Sequence, residues 1–189
     1  MKNEKLYQAC EKALPAYIAN WEKLVNVDCG SRNGKGINQV ADLLWKELEP
    51  LQPFSLEKIP MEDPQEGCHL LAVFKGKGKG KVMASAHLDT VFPEGTVAER
   101  PFRIEGDWPK GPGAADCKSG VNMMLFAMKQ LRALHFEDFE RITLLFNGDE
   151  EISSPSSRKL IARLAPQHDC YLCCESGQEG DGLVRSRKG

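Results

Sequence analysis

Residues 81–90 read KVMASAHLDT, an apolar stretch that ends in a histidine and an aspartate two positions apart. The continuous apolar run, bounded by polar segments, predicts a buried β-strand that ends at His87. Two further apolar runs end in acidic residues in the same way: 141–147 leads into Gly-Asp-Glu-Glu, and 170–174 leads into Glu175. The carboxyl ends of strands line the ligand crevice of an open α/β sheet, so we expect these side chains to share one rim.

Helical and strand patterns alternate around this stretch. The predicted strands cover 54–59, 68–74, 82–87, 141–147, 168–174 and 182–187, and the predicted helices cover 4–26, the segment from the 29–36 loop to near Pro50, 119–134, and a stretch that starts near Ser154. Pro15 is expected to interrupt the first helix. The KGKGKGK segment at 75–81 predicts a solvated hairpin turn rather than a phosphate-binding loop. We therefore expect an α/β fold of three layers, α/β/α, with a mixed, mostly parallel sheet.

Composition excludes several classes of protein. Lys and Arg number 25 against 27 Asp and Glu, and this net charge of −2 argues against nucleic-acid binding. The apolar runs are far shorter than the roughly 18 residues that a membrane-spanning helix needs, and the polar N-terminal segment lacks the apolar core of a signal peptide. The seven cysteines are an odd number, which favours a reduced, cytoplasmic protein over a disulfide scaffold.

The side chains at the strand ends form a candidate metal site. One histidine with several carboxylates suits Zn, Mn or Co, and the carboxylates can neutralise two divalent ions. Asp89 lies on the same face of an extended segment as His87 and can accept its second ring N–H. Glu150 and Glu151 point in different directions, so one can bind a metal while the other moves protons. Asp116, in GPGAADCKSG, is a further candidate.

Each motif alone also has an ordinary structural interpretation. A His-x-Asp sequence is common by chance, and a Glu-Glu pair after a strand is usually a solvated helix start that the helix dipole favours. Their occurrence at four successive strand-to-helix junctions favours a shared site.

Four segments together resemble the metal-site motifs of the M20 metallopeptidases: SAHLDTVFPEGT, GPGAADCKSG, GDEEISSPSSR and CCESG. Their order agrees with that family, and so do the intervals of 29 residues from His87 to Asp116, 34 to Glu150 and 25 to Glu175. The resemblance extends over essentially the whole chain and is strongest to the glutamate carboxypeptidase (carboxypeptidase G2-like) branch. It implies the catalytic-domain fold of a zinc peptidase.

The resemblance implies two zinc ions, with cobalt or manganese as alternatives, and a role for each matching residue. His87 and Glu175 would bind one ion, Glu151 would bind the other, and Asp116 would bridge the two. Glu150 would be the general base that deprotonates the attacking water and passes the proton to the leaving amine. Asp89 would orient His87. A cis peptide bond after Asp116 is also implied.

The implied activity is hydrolysis of a peptide or amide bond by a metallopeptidase, with release of a C-terminal glutamate or a similar amino acid as the first expectation. An N-acyl amino acid deacylase of the acetylornithine deacetylase or succinyl-diaminopimelate desuccinylase type is the alternative. A truncated, inactive metal-binding fragment is a third possibility. The expected ligands are small peptides or N-acyl amino acids, with neither nucleic acid nor membrane as a partner.

Residues 1–189 correspond, by this resemblance, to the N-terminal part of an M20 catalytic domain. Family members continue into a lid or dimerisation domain and then return to the catalytic domain with a last histidine. The resemblance therefore implies that these parts are absent here and that the sheet is incomplete at its C-terminus. A homodimer through such a lid, or a second chain that supplies it, is the corresponding expectation for partners. A fragment, one half of a split enzyme and a decayed product all remain open.

Overall fold

The computed structural model describes residues 2–177. In this range the helices are α1 Lys2–Val25, α2 Gly34–Leu48, α3 Thr96–Glu99, α4 Gly120–Ala133 and α5 Ser157–Leu164, and the strands are β1 Ser55–Pro60, β2 Cys68–Lys75, β3 Lys81–His87, β4 Arg103–Glu105, β5 Trp108–Lys110, β6 Arg141–Asn147 and β7 Cys170–Cys173. None of the helices in this range combines the length and the hydrophobicity needed to cross a bilayer. The strand predicted at 182–187 lies outside the described residues.

Five strands form the central sheet in the order β1-β2-β6-β3-β7, and β4 pairs with β5 in a separate ribbon. β6 pairs in parallel with β3, and β3 pairs in parallel with β7, whereas β2 is antiparallel to both of its neighbours. Four strands therefore run in one direction and β2 alone opposes them, which confirms a mixed sheet. The predicted hairpin between β2 and β3 is wrong, because Leu144 of β6 lies between Ala72 and Ala84.

The glycines after β2 serve close packing rather than a hairpin turn. Residues 76–78 run beside 137–140, where Lys77 N donates to the Glu137 carbonyl over 2.8 Å and Gly76 N donates to that of Glu140 over 3.2 Å. A Cβ atom at Gly76 would collide with the backbone oxygen of Phe139. The segment thus leads the chain past the N-terminal end of β6 before β3 begins.

Helices cover both faces of the sheet. On one face, Leu70, Ala72 and Phe74 of β2 belong to the main core, which they share with apolar side chains of α1, α2 and α4. On the other face, Leu71 packs with Met83, Leu145 and Leu160, and Leu160 belongs to α5. This alternation follows from the two-residue period of a strand, and it confirms the expected three layers.

Helix α1 is continuous, so the predicted interruption at Pro15 is wrong. Pro15 lies on the exposed face of the helix, where water can bond the carbonyl that loses its N–H partner. The helix is fixed to α4 by a buried amide pair, in which Asn20 Nδ2 donates to Asn122 Oδ1 over 2.7 Å. Asn122 Nδ2 in turn donates to the Tyr17 carbonyl over 2.8 Å.

Strand β7 is an edge strand, and its residues are exposed. Tyr171 and Leu172 are 39% and 51% exposed, so the prediction of a buried strand at 168–174 is wrong in burial although right in position. An apolar run of this kind is typical of a strand that is buried on both faces. In the described part of the chain, β7 has a paired strand on one side only.

Candidate metal centre

The site lies where β6, β3 and β7 end side by side. Backbone bonds continue beyond the strands: Leu88 N donates to the Asn147 carbonyl over 2.6 Å, and Cys174 N donates to that of Ser85 over 2.7 Å. These bonds carry the residues that follow each strand to the same edge. The predicted rim of acidic residues is therefore present in the fold.

His87 is the centre of this rim, and its side chain is only 1% exposed. Its Nε2 atom lies 2.9 Å from Asp116 Oδ1 and 3.7 Å from Glu175 Oε2. Its Nδ1 atom lies 2.9 Å from the backbone oxygen of Asp89 and 3.4 Å from Asp89 Oδ1. The two ring nitrogens thus face different partners, and Nε2 points at the carboxylates from the other segments.

Asp89 is fully buried and ties three segments together. Its Oδ2 accepts hydrogen bonds from Ser31 Oγ at 2.7 Å and from Glu151 N at 3.2 Å, and its Oδ1 accepts from Glu150 N at 3.1 Å. Burial raises the pKa of Asp89, but hydrogen bonds from His87 and Ser31 outweigh it and hold this pKa below its ordinary range. The carboxylate therefore stays charged where it holds the two turns.

Asp116 lies in the irregular turn Ala114–Ser119 that precedes α4. The Asp116–Cys117 peptide bond is cis, as the family resemblance implied. Cys117 is buried, and its Sγ donates to the Cys174 carbonyl over 3.1 Å. Burial and the negative charge of Glu175 raise the pKa of this thiol, so it remains protonated and is a poor metal ligand at neutral pH.

One donor atom from each of His87, Asp116, Cys117 and Glu175 lies within 4.8 Å of the others. Without the thiol, an imidazole nitrogen and two carboxylates remain, a ligand set that suits zinc. Burial lowers the pKa of His87, but Asp89 and the charge of Glu175 raise it to about 9 overall. The acidic cup, formed by His87, Asp116 and Glu175, thus stabilises positive charge at His87. These residues fit a divalent cation.

Glu150 and Glu151 form the short turn after β6, at Glu150–Ile152. Burial raises the pKa of Glu151, and the charges of Asp116 and Asp89 add to this effect while His87 opposes it. Glu151 therefore borders the cup, although its side chain is not part of the compact four-donor group within the described residues. Glu150 is exposed and leaves its carboxylate accessible.

Three residues at the back of the site were not predicted from the sequence. Asp149 is buried and holds the start of α5: Oδ2 accepts from Ser156 N at 2.7 Å and from Ser157 N at 2.9 Å. The helix consequently begins at Ser157, later than the predicted start near Ser154. Ser31 binds Asp89, and His69 contacts the segment after β6. No local capping pattern identifies Asp149, because it lies seven residues before the N-cap position Ser156 and reaches it across the intervening turn.

Lys118 is a buried lysine whose role was also missed. Its Nζ donates to the Leu88 carbonyl and to Cys29 Sγ, which is 2.9 Å away. It links the segment between His87 and Asp89 to the turn that carries Asp116. No pattern in the sequence distinguished it from an ordinary solvated lysine near a helix start.

Residues 83–187 match the model of the family described as Peptidase family M20/M25/M40. The chain belongs to this family. It is 36% identical over 180 residues to carboxypeptidase G2 from Pseudomonas sp. (strain RS-16), a match that covers 95% of this chain and 43% of that protein. It is 28% identical over 180 residues to a succinyl-diaminopimelate desuccinylase of Buchnera aphidicola subsp. Cinara cedri, with 89% and 45% covered.

The fold also matches that of human carnosine dipeptidase 1, with a TM-score of 0.79 at 19% identity over 93% of this chain and 41% of that chain. At this identity the likeness supports the fold alone. The chain spans less than half the length of each of these three proteins.

Proposed function

We propose that this M20 family chain carries the metal centre of a zinc-dependent hydrolase that cleaves a peptide or amide bond. The observation that supports this most directly is that Nε2 of His87 faces the carboxylates of both Asp116 and Glu175. These three residues come from three separate segments of the chain. A buried imidazole whose Nδ1 faces Asp89 leaves Nε2 oriented toward the cup. Surface acids have no structural reason to collect around it.

In this proposal His87 and Glu175 would hold one ion, Glu151 would hold a second, and Asp116 would contribute to both. When bound, two zinc ions, or cobalt or manganese in their place, would polarise the scissile carbonyl and lower the pKa of a water molecule. The crowding of carboxylates supports this assignment: burial raises the pKa of Glu175, and Asp116 and Glu150 add to this rise, while His87 and a hydrogen bond from Cys117 oppose it. Divalent cations would relieve that repulsion.

Glu150 is the proposed general base. Its carboxylate is exposed, and its backbone N–H is held by Asp89 Oδ1 at 3.1 Å, so the residue has a fixed backbone and an accessible side chain. It would take a proton from the attacking water and deliver it to the leaving amine. Asp89 would keep the ring of His87 in one orientation while it holds the Glu150–Glu151 turn.

The proposed substrate is a small peptide from which a C-terminal glutamate or a similar amino acid is released, and similarity to carboxypeptidase G2 supports it. A deacylase acting on N-acyl amino acids is the second candidate, supported by the likeness to the succinyl-diaminopimelate desuccinylase. Both reactions cleave an amide bond, so the same residues would serve either. An odd number of cysteines supports a cytoplasmic setting for the reaction.

We further propose that residues 1–189 act as the N-terminal part of a catalytic domain that works together with a lid or dimerisation domain and a last histidine. The match to 43% of carboxypeptidase G2 supports this arrangement. Such a lid could form a homodimer contact or come from a complementing chain.

The test combines metal analysis with hydrolysis. Purified chain is loaded with zinc, its metal content is measured, and release of glutamate from an N-acyl glutamate is followed beside release of succinate from an N-succinyl amino acid. His87→Ala is expected to lose the ion that His87 and Glu175 hold, whereas His135→Ala, at an exposed histidine, should keep the zinc content of the unaltered chain. Zinc without turnover would favour the inactive metal-binding fragment. Failure of the unaltered chain to bind zinc would overturn the proposal.

A further inference from the structure

The segment 148–157, which carries Glu150 and Glu151, is fastened at its tip and at its neck. At the tip, Asp89 binds the backbone N–H groups of both glutamates. At the neck, where the segment leaves β6 and enters α5, Asp149 binds the N–H groups of Ser156 and Ser157. A second contact at the neck comes from outside the segment, from His69 on β2.

His69 bridges the two sides of this neck. Its Nδ1 lies 3.2 Å from Gly148 N, and its Nε2 lies 3.0 Å from Ser156 Oγ. A backbone N–H can only donate, so Nδ1 must be unprotonated and accept this bond. The neutral ring then carries its proton on Nε2, which donates to the Ser156 hydroxyl. Both nitrogens are occupied, and the side chain is 1% exposed, so His69 has no free atom for chemistry.

The segment needs such a restraint because its backbone is locally unfavourable. Ser153 and Ser154 both adopt left-handed conformations, with φ of 71° and 54°, which residues with a Cβ rarely adopt. Gly148 is closely packed: a Cβ there would lie 2.8 Å from Ile37 Cγ2 and 3.1 Å from the Cys68 carbonyl oxygen. The neck is therefore closely packed at Gly148. The turn that carries Glu150 and Glu151, in contrast, is held in position by its hydrogen bonds.

We propose that His69 is a positioning residue that closes the neck of the 148–157 segment and thereby sets the location of Glu150 and Glu151. Within residues 2–177 its hydrogen bonds go to Gly148 and Ser156 and not to a proposed metal ligand. The importance of the two glutamates rests on the proposed function. The hydrogen-bonded bridge through His69 and its effect on the segment are independent of the proposed function.

Three variants separate the bridge from simple core filling. His69→Leu fills the same place with an apolar side chain of similar size but removes both hydrogen bonds. His69→Asn retains an oxygen near the place of Nδ1, so it can still accept from Gly148 N but no longer reaches Ser156. Ser156→Ala removes only the hydroxyl end of the bridge.

Amide hydrogen exchange of the metal-free 189-residue chain is the first measurement. In His69→Leu we expect exchange at Gly148, Glu150 and Glu151 to accelerate about tenfold or more, the value of one hydrogen bond of about 1.4 kcal/mol. The amide of Leu125 in α4 serves as the reference for global stability. His69→Asn should restore most of the protection at Gly148, and Ser156→Ala should leave that amide protected.

Zinc titration of the same variants is the second measurement. His69→Leu should weaken the second ion about 10–100-fold and leave the first unchanged, as changes behind metal ligands commonly do. Equal acceleration at Leu125 and at the segment, or unchanged exchange throughout, would overturn the inference. Should His69→Leu fail to fold, absence of rescue at Gly148 in His69→Asn would overturn it too. An unaltered chain that binds no zinc would contradict the proposed function, and exchange would still decide the role of His69.

Discussion

Replacing Asp89 by asparagine tests whether a buried charge holds the site together. The carboxylate accepts hydrogen bonds from Ser31 Oγ, Glu150 N and Glu151 N, and it also faces His87 Nδ1 at 3.4 Å. Asparagine has nearly the same shape but offers only one acceptor oxygen. Because the hydrogen bonds hold the pKa of Asp89 below its ordinary value of 3.8, the folded chain favours the charged form despite burial.

The size of the effect follows from the donors that the amide cannot satisfy. With its NH2 group in the place of Oδ2, asparagine can donate to Ser31 Oγ but leaves Glu151 N–H buried and unpaired. Such a group costs about 1–3 kcal/mol, and the remaining bond to Glu150 N loses its charge assistance. We therefore expect Asp89→Asn to lower the free energy of unfolding by about 2–4 kcal/mol.

Urea unfolding of the metal-free chain at neutral pH measures this loss. Asp107→Asn, at an exposed aspartate, is the matched control and should stay within about 0.5 kcal/mol of the unaltered chain. Ser31→Ala removes one donor and keeps the charge, so its effect should be smaller than that of Asp89→Asn. A free energy of unfolding for Asp89→Asn as close to the unaltered chain as that of Asp107→Asn would refute the reasoning.

Three further predictions concern chemistry, packing and pH. Glu150→Gln should retain zinc and abolish turnover of the active enzyme, as measured by metal content and kcat; retained activity would remove Glu150 from the role of base. Phe146→Ala, at a fully buried position of β6, should cost about 3–5 kcal/mol in urea unfolding, whereas Phe136→Ala, at a side chain that is 42% exposed, should cost much less. Burial lowers the pKa of His69 below its ordinary 6.5, with Asp149 and Asp89 opposing, so the unfolded chain binds more protons. The contribution of neutral His69 to the free energy of unfolding is therefore complete above pH 6.5 and is lost as the pH falls from 6.5 toward the pKa of the folded chain. His69→Asn should lose less stability over this range of pH. A pH profile identical to that of the unaltered chain would contradict this assignment.

Strand positions could be predicted from the sequence because an apolar run bounded by polar residues is a local signal. The run before His87 and the run 141–147 both became strands with ends close to those expected. Their pairing is not local. The glycines at 76 and 78 matched the composition of a turn, yet they serve a close approach to residues 137–140, which only the folded chain reveals.

The candidate site was predictable to the extent that its residues follow strands. His87 and Glu175 lie at the ends of adjacent parallel strands. The rule that ligand sites lie at the carboxyl ends of strands therefore predicted correctly that the two side chains are close together. The residues behind the site were harder to find. His69 lies at the start of an apolar run and Ser31 lies in a loop, and their partners are distant in the sequence. Nothing in the local pattern separates them from ordinary core or surface positions.

The insertion of β6 between β2 and β3 has a consequence for synthesis on the ribosome. The chain emerges from its N-terminus, so β2 and β3 are both outside the exit tunnel before Arg141 has been added. Until β6 arrives, each of them presents a row of backbone N–H and C=O groups with no partner, and neighbouring nascent chains can pair there instead. A translation pause placed before β6 should therefore increase aggregation of the product, whereas a pause placed late enough for Asn147 to have left the exit tunnel should not.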